Sequence, residues 1–94
     1  MNYYALIYDV VDDYIERRTA FCEEHLRRAN EASARGELVL GGAFSDPADR
    51  ALLIFHVNDI SIVENFAKND PYVINGLVKK REIRPWTVVV GCKK

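Results

Sequence analysis

Tyr3-Tyr4-Ala5-Leu6-Ile7-Tyr8 opens the chain as an apolar run with no alternation of apolar and polar positions. A strand with one wet face alternates with a period of two, whereas a strand covered on both faces does not. The run therefore predicts a strand buried from two sides. Acids over residues 9–13 end it, and Asp12 or Asp13 can cap the element that follows. Residues 51–57, Ala-Leu-Leu-Ile-Phe-His-Val, have the same two-sided apolar character and predict a second strand of this kind.

Between these strands, residues 14–35 read as one long helix. Tyr14, Arg18, Phe21, Cys22, His25, Ala29 and Ala32 form a stripe at three- and four-residue spacing, and acidic and basic residues fill the other positions. Gly36 closes the helix as its C′ glycine. Leu38-Val39-Leu40 starts a strand that Gly41-Gly42 interrupts, as at a bulge or a close backbone approach. Asp46-Pro47-Ala48-Asp49 is a turn by its chemistry and makes a hairpin with residues 51–57. A second helix over residues 60–68 takes Asp59 or Ser61 as its cap and turns Ile62, Val63, Phe66 and Ala67 inward. Asp70-Pro71 begins a short third helix that ends near Gly76. Residues 83–90 form the last strand, and Pro85 favours an edge position for it, because proline donates nothing to a ladder.

The order strand, helix, strand, strand, helix, strand is the ferredoxin-like split βαβ plan, an α+β class with one antiparallel sheet and both helices on one face. The other face should then be polar, and it is apolar. The chain has no residues left to cover it, so a second copy of the sheet is the simplest cover. With 94 residues and no linker or repeat, residues 1–94 make one domain.

The 13 Lys and Arg nearly cancel the 14 Asp and Glu, and the basic runs Arg17-Arg18, Arg27-Arg28 and Lys79-Lys80-Arg81 are short. That excludes a nucleic-acid footprint, which needs a clustered basic surplus. Two cysteines, Cys22 and Cys92, give neither a disulfide framework nor a zinc pattern, and fit a reduced, cytoplasmic setting. No signal-peptide layout and no apolar stretch of about 20 residues is present, so no membrane span is expected.

Few residues can carry chemistry. His25 lies on the apolar stripe. It is either a core histidine satisfied by a hydrogen bond or a general acid or base in a partly dry pocket. His56, at the end of its strand, reads as a surface side chain. Asp70 is explained by capping alone, yet its second oxygen could also hold a histidine and fix its tautomer. The split βαβ plan puts the two segments on the same side of the sheet. Tyr8, Phe44, Tyr72 and Trp86 are aromatic candidates for a pocket wall. Arg18, two turns before His25, either snorkels outward or binds a carboxylate. Cys22, three residues before His25, is a weak thiolate candidate. No metal-ligand spacing, phosphate-cradling glycine loop or nucleophile elbow is visible.

His25-Leu26, Gly36-Glu37-Leu38-Val39-Leu40-Gly41-Gly42, Asp70-Pro71-Tyr72, Gly76-Leu77 and Ile83-Arg84-Pro85-Trp86 stand in an order that resembles the YciI-related family over nearly the whole chain. The resemblance implies a subunit of a dimeric α+β barrel, with a His–Asp active site that maps onto His25 and Asp70. It further implies a cofactor-independent lyase or isomerase acting on a small, ring-derived organic acid, in the manner of a dehydrochlorinase or a muconolactone isomerase. Arg18, Ser45 and Tyr72 are then the candidate substrate contacts. One departure is the pair Glu23-Glu24 before His25, where relatives often carry proline or another small residue. Two rival functions stand beside this one: a non-catalytic dimer that binds a small ligand or serves as an accessory module, and a cofactor-free monooxygenase.

Overall fold

The sheet is built around β1 (Asn2–Val10), which pairs antiparallel with β3 (Arg50–Val57) on one side and β4 (Val78–Trp86) on the other. β2 (Leu38–Ala43) pairs antiparallel with β3, giving the order β2-β3-β1-β4. This computed structural model describes residues 1–91. Cys92 therefore lies outside the described residues.

Among the described residues four helices complete the fold: α1 (Tyr14–Arg18), α2 (Cys22–Ala34), α3 (Ile60–Lys68) and α4 (Pro71–Ile74). Asp59 caps α3 by accepting from the Ser61 N–H at 2.9 Å, which decides between the two expected caps. Asp13 precedes α1 without a side-chain cap bond. Both α2 and α4 end in a Schellman pair. Gly36 N–H donates to the Ser33 carbonyl and Glu37 N–H to that of Ala32. Gly76 and Leu77 do the same toward Val73 and Tyr72. Gly36 at φ 80° and Gly76 at φ 79° occupy the left-handed conformation that these closures need.

The expected helix over 14–35 is two helices. The Thr19 hydroxyl donates to the Glu16 carbonyl at 2.7 Å, the side-chain bond through which Thr competes with the helical ladder. α2 starts afresh after Phe21. The last strand also shifts, to 78–86 instead of 83–90. After Val78 come Lys79-Lys80-Arg81, charged and exposed, which an edge strand tolerates because only one neighbour packs against it. Pro85 does sit on an edge strand.

One face of the sheet carries Leu6, Tyr8 and Val10 from β1 and Ala51, Leu53, Phe55 and Val57 from β3. All are buried in a single core with Ala32 of α2 and Val63, Phe66 and Ala67 of α3. Each large apolar side chain closed off in this way contributes about 1.5–3 kcal/mol. The opposite face carries Tyr3, Ala5, Ile7, Leu52, Ile54 and His56, none of which belongs to that core. Tyr3 and His56 stack there with ring centroids 4.1 Å apart.

Candidate active site

Asp70 is where the local chain and the site meet. Its backbone is extended, and its side chain caps α4 by accepting from the Tyr72 N–H at 3.0 Å, with Pro71 filling the first helical position. The segment is locked to the sheet. Leu77 is fully buried, and its carbonyl accepts from the Val11 N–H at the end of β1 at 3.0 Å. Arg17 on α1 also holds the Asn75 carbonyl at 3.1 Å.

His25 lies in the first turns of α2, which starts afresh after the break that follows α1. Its Nδ1 is 3.0 Å from Asp70 Oδ1. Asp70 is 0 % exposed, and the Tyr8 hydroxyl donates to its Oδ2 at 2.8 Å. An ionised carboxylate is an acceptor only, so Nδ1 carries the proton. Nε2 then faces away from Asp70. The His25 side chain is 15 % exposed and lines a cavity, so Nε2 is the ring atom offered to a bound molecule.

The cavity holds about 410 Å³ between α2 and the β2–β3 edge of the sheet. Tyr72 forms part of its wall. Its ring stacks on His25 at 4.1 Å with 14° between planes, and meets Tyr14 edge-on at 5.7 Å. Arg18 lies with its guanidinium 5.3 Å from the Tyr14 ring centroid, a cation–π contact that leaves a positive group at the cavity. Burial pushes the Tyr72 phenol above its ordinary range, and the neighbouring Cys22 side chain adds to this. Burial raises the Tyr8 phenol much further, and the Asp70 charge adds to it, so Tyr8 stays a protonated donor.

Of the residues singled out in the sequence, His25, Asp70, Tyr72, Arg18 and Tyr8 come together here, and Cys22 joins them on the cavity wall. Ser45 does not. It lies exposed in the connection between β2 and β3 and does not line the cavity. Phe44 and Trp86 are likewise exposed and away from it. Glu24 forms a bidentate pair with Arg27 on the exposed face of α2, and that pairing holds its carboxyl below the usual range. It does not line the cavity either. The sequence reading missed the bond from Tyr8 to Asp70. Strand parity places Tyr8 on the helix side, but nothing in the sequence says which group its hydroxyl meets. It also missed the far end of the cavity, where Asn30 and Ser33 of α2 face Gly41 and Gly42 of β2. Among the described residues, no three His, Cys, Asp or Glu side chains are grouped to hold a metal ion.

A ferredoxin-like α+β fold with a His–Asp pair at the wall of a cavity is the class that the structure defines. The chain belongs to the YCII-related domain family, whose model matches residues 1–87. Its fold is similar to that of 5-chloro-2-hydroxyhydroquinone dehydrochlorinase from Burkholderia phenoliruptrix, solved in complex with 2,5-dihydroxybenzoquinone. The TM-score is 0.77 at 17 % identity, covering 90 % of this chain and 93 % of that one. It is also similar to a crystal structure of an Agrobacterium tumefaciens protein, with a TM-score of 0.64 at 15 % identity, covering 97 % and 96 % of the two chains. No curated protein matches the chain in sequence.

Proposed function

We propose that this chain is a cofactor-independent enzyme of lyase or isomerase type, acting on a small, ring-derived organic acid or quinol. The observation that carries the reading is the 3.0 Å contact between His25 Nδ1 and the fully buried Asp70 carboxylate at a cavity wall. In this reading His25 Nε2 removes a proton from the substrate, and Asp70 holds the ring and stabilises the imidazolium that forms. A lyase then expels a leaving group from the neighbouring carbon, and an isomerase returns the proton to a different carbon. Arg18 holds an anionic group of the substrate, and Tyr72 offers its edge to an aromatic ring. The fold shared with a dehydrochlorinase supports this substrate class.

We further propose that two copies pair through the open sheet face. Its centre, with Ile7, Leu52 and Ile54, is apolar, and an Asp9–Arg50 ion pair at 3.1 Å lies toward one end. A dry centre with a charged rim is the anatomy of a protein interface. Among the described residues no helix is long and apolar enough to cross a membrane, and Cys22 is a free thiol. A reducing cytoplasmic setting is the matching proposal.

The test is turnover of 5-chloro-2-hydroxyhydroquinone and a panel of small ring-derived acids, read as chloride release or as a change in ultraviolet absorbance. His25→Ala and Asp70→Asn should each cut turnover by ~10²–10⁴-fold. Full turnover by His25→Ala would overturn the mechanism. Tight binding of panel members with no turnover would replace it with the ligand-binding module.

A further inference from the structure

Asp70 takes three donors: His25 Nδ1 and the Tyr72 N–H on Oδ1, and the Tyr8 hydroxyl on Oδ2. The Tyr72 bond follows from capping α4, and the His25 bond from the docking of α2. The Tyr8 bond has no such local origin, because it joins residues 62 apart in sequence. Tyr8 sits on the central strand opposite Ala51 and Arg81, and its ring is as buried as the apolar side chains around it. A phenylalanine would fill the same space. What the hydroxyl adds is one donor to the carboxylate oxygen that His25 leaves free.

A donor on one oxygen of a carboxylate draws charge toward itself and weakens the other oxygen as an acceptor. We propose that Tyr8 is a positioning residue of the acid–base site, whose hydroxyl shares the charge of Asp70 and so sets how strongly Asp70 polarises the Nδ1 proton of His25. The proposal rests on the reading of His25 and Asp70 as the proton-moving pair. Tyr8 acts through Asp70 and needs no contact with substrate. The other titratable or charged groups facing the cluster are Tyr14 and Arg18 from α1, Cys22 and Arg28 from α2, Tyr72 from α4 and Arg81 from β4. β2 and β3 bring only backbone and apolar side chains to the cavity. Tyr8 therefore provides the one side-chain hydrogen bond to Asp70 Oδ2 among the described residues.

The experiment is a long-range proton–nitrogen NMR correlation of the His25 ring in the full chain, at one pH where the ring is neutral. It reads both ring nitrogens even when the Nδ1 proton exchanges fast. In Tyr8→Phe, Asp70 keeps more of its charge, and the Nδ1 resonance should move downfield. With 3-fluorotyrosine at position 8 the hydroxyl is a stronger donor, and the resonance should move upfield. Asp70→Asn should shift it further upfield than the fluorinated residue does. Melting curves establish that each variant is folded. If Asp70→Asn moves the resonance and neither change at position 8 does, Tyr8 only satisfies a buried oxygen and the proposal falls while the His–Asp pair stands. An upfield move in Tyr8→Phe also overturns it. If Asp70→Asn leaves the resonance in place, the pair itself fails and this proposal with it.

Discussion

The Asp70 carboxylate does two jobs with one atom, since Oδ1 accepts from both the α4 cap N–H and His25. Asp70→Asn keeps an acceptor for the cap but removes the charge that stabilises an imidazolium. Under the proposed mechanism it should therefore cost turnover more than stability. Asp70→Ala removes the cap as well and strands the Tyr8 hydroxyl in a buried site. Losing a cap costs about 1 kcal/mol, and an unsatisfied buried polar group about 1–3 kcal/mol more. Urea unfolding should rank wild type above Asp70→Asn and Asp70→Asn above Asp70→Ala. The reciprocal change, Tyr8→Phe, leaves Oδ2 without its donor and should lower stability by about 1–3 kcal/mol. At this scale the residue types were legible from sequence, because His25 stands on an apolar stripe and Asp70 in a capping position. The contact between them was legible only as a possibility of the fold, since it depends on the angle of α2 to the sheet. The Tyr8 hydroxyl was not legible at all, because a strand pattern reports which face a residue takes and not what its terminal atom meets.

Among the elements, the cap at Asp70, the β2–β3 hairpin and the Gly36 closure could all be read from the chain. Each is dictated by residues close together in sequence. The Gly36 closure gives a direct check. A side chain at φ 80° carries a left-handed penalty of roughly 1–2 kcal/mol, and no neighbouring atom lies within 4 Å of a Cβ placed there. Gly36→Ala should therefore lower the unfolding free energy by about that amount through backbone strain alone, leaving the His25 ring environment unchanged by NMR. The break after Thr19 escaped periodicity because the residue stripe runs on across it. Tyr14, Arg18, Cys22 and His25 keep helical spacing whether or not the backbone between them is helical. The start of β4 escaped because Lys79-Lys80-Arg81 looks like a loop. Its strand character comes from pairing with β1 in the register Asp9–Lys80 and Tyr8–Arg81, which is a long-range property.

For the whole molecule, the sheet divides the chain into a closed side and an open one. Phe55 and Leu6, both 0 % exposed, anchor the closed side. Phe55→Ala should cost about 3–5 kcal/mol in urea unfolding. The open side was legible from β1 and β3, whose apolar residues run through odd and even positions alike, and the structure leaves that second set outside the main core cluster, half-buried except for the buried Ile54. Under the proposed pairing, analytical ultracentrifugation should find wild-type dimers. Leu52→Lys, which sets a charge at the centre of that face, should give monomers with unchanged helical circular dichroism. Monomeric wild type at micromolar concentration would sink the pairing.

The donors that converge on Asp70 come from positions 8, 25 and 72, at separations of 62, 45 and 2 residues. During synthesis the first two leave the ribosome early and wait without a partner. The site closes only once the segment carrying Asp70 and Tyr72 has emerged and docked. Chains cut short before residue 70 therefore hold no half-built version of it, and a split protein regains it only when both pieces find each other. Complementation of two fragments cut in the β2–β3 turn would report, through a single histidine, on assembly of the complete fold.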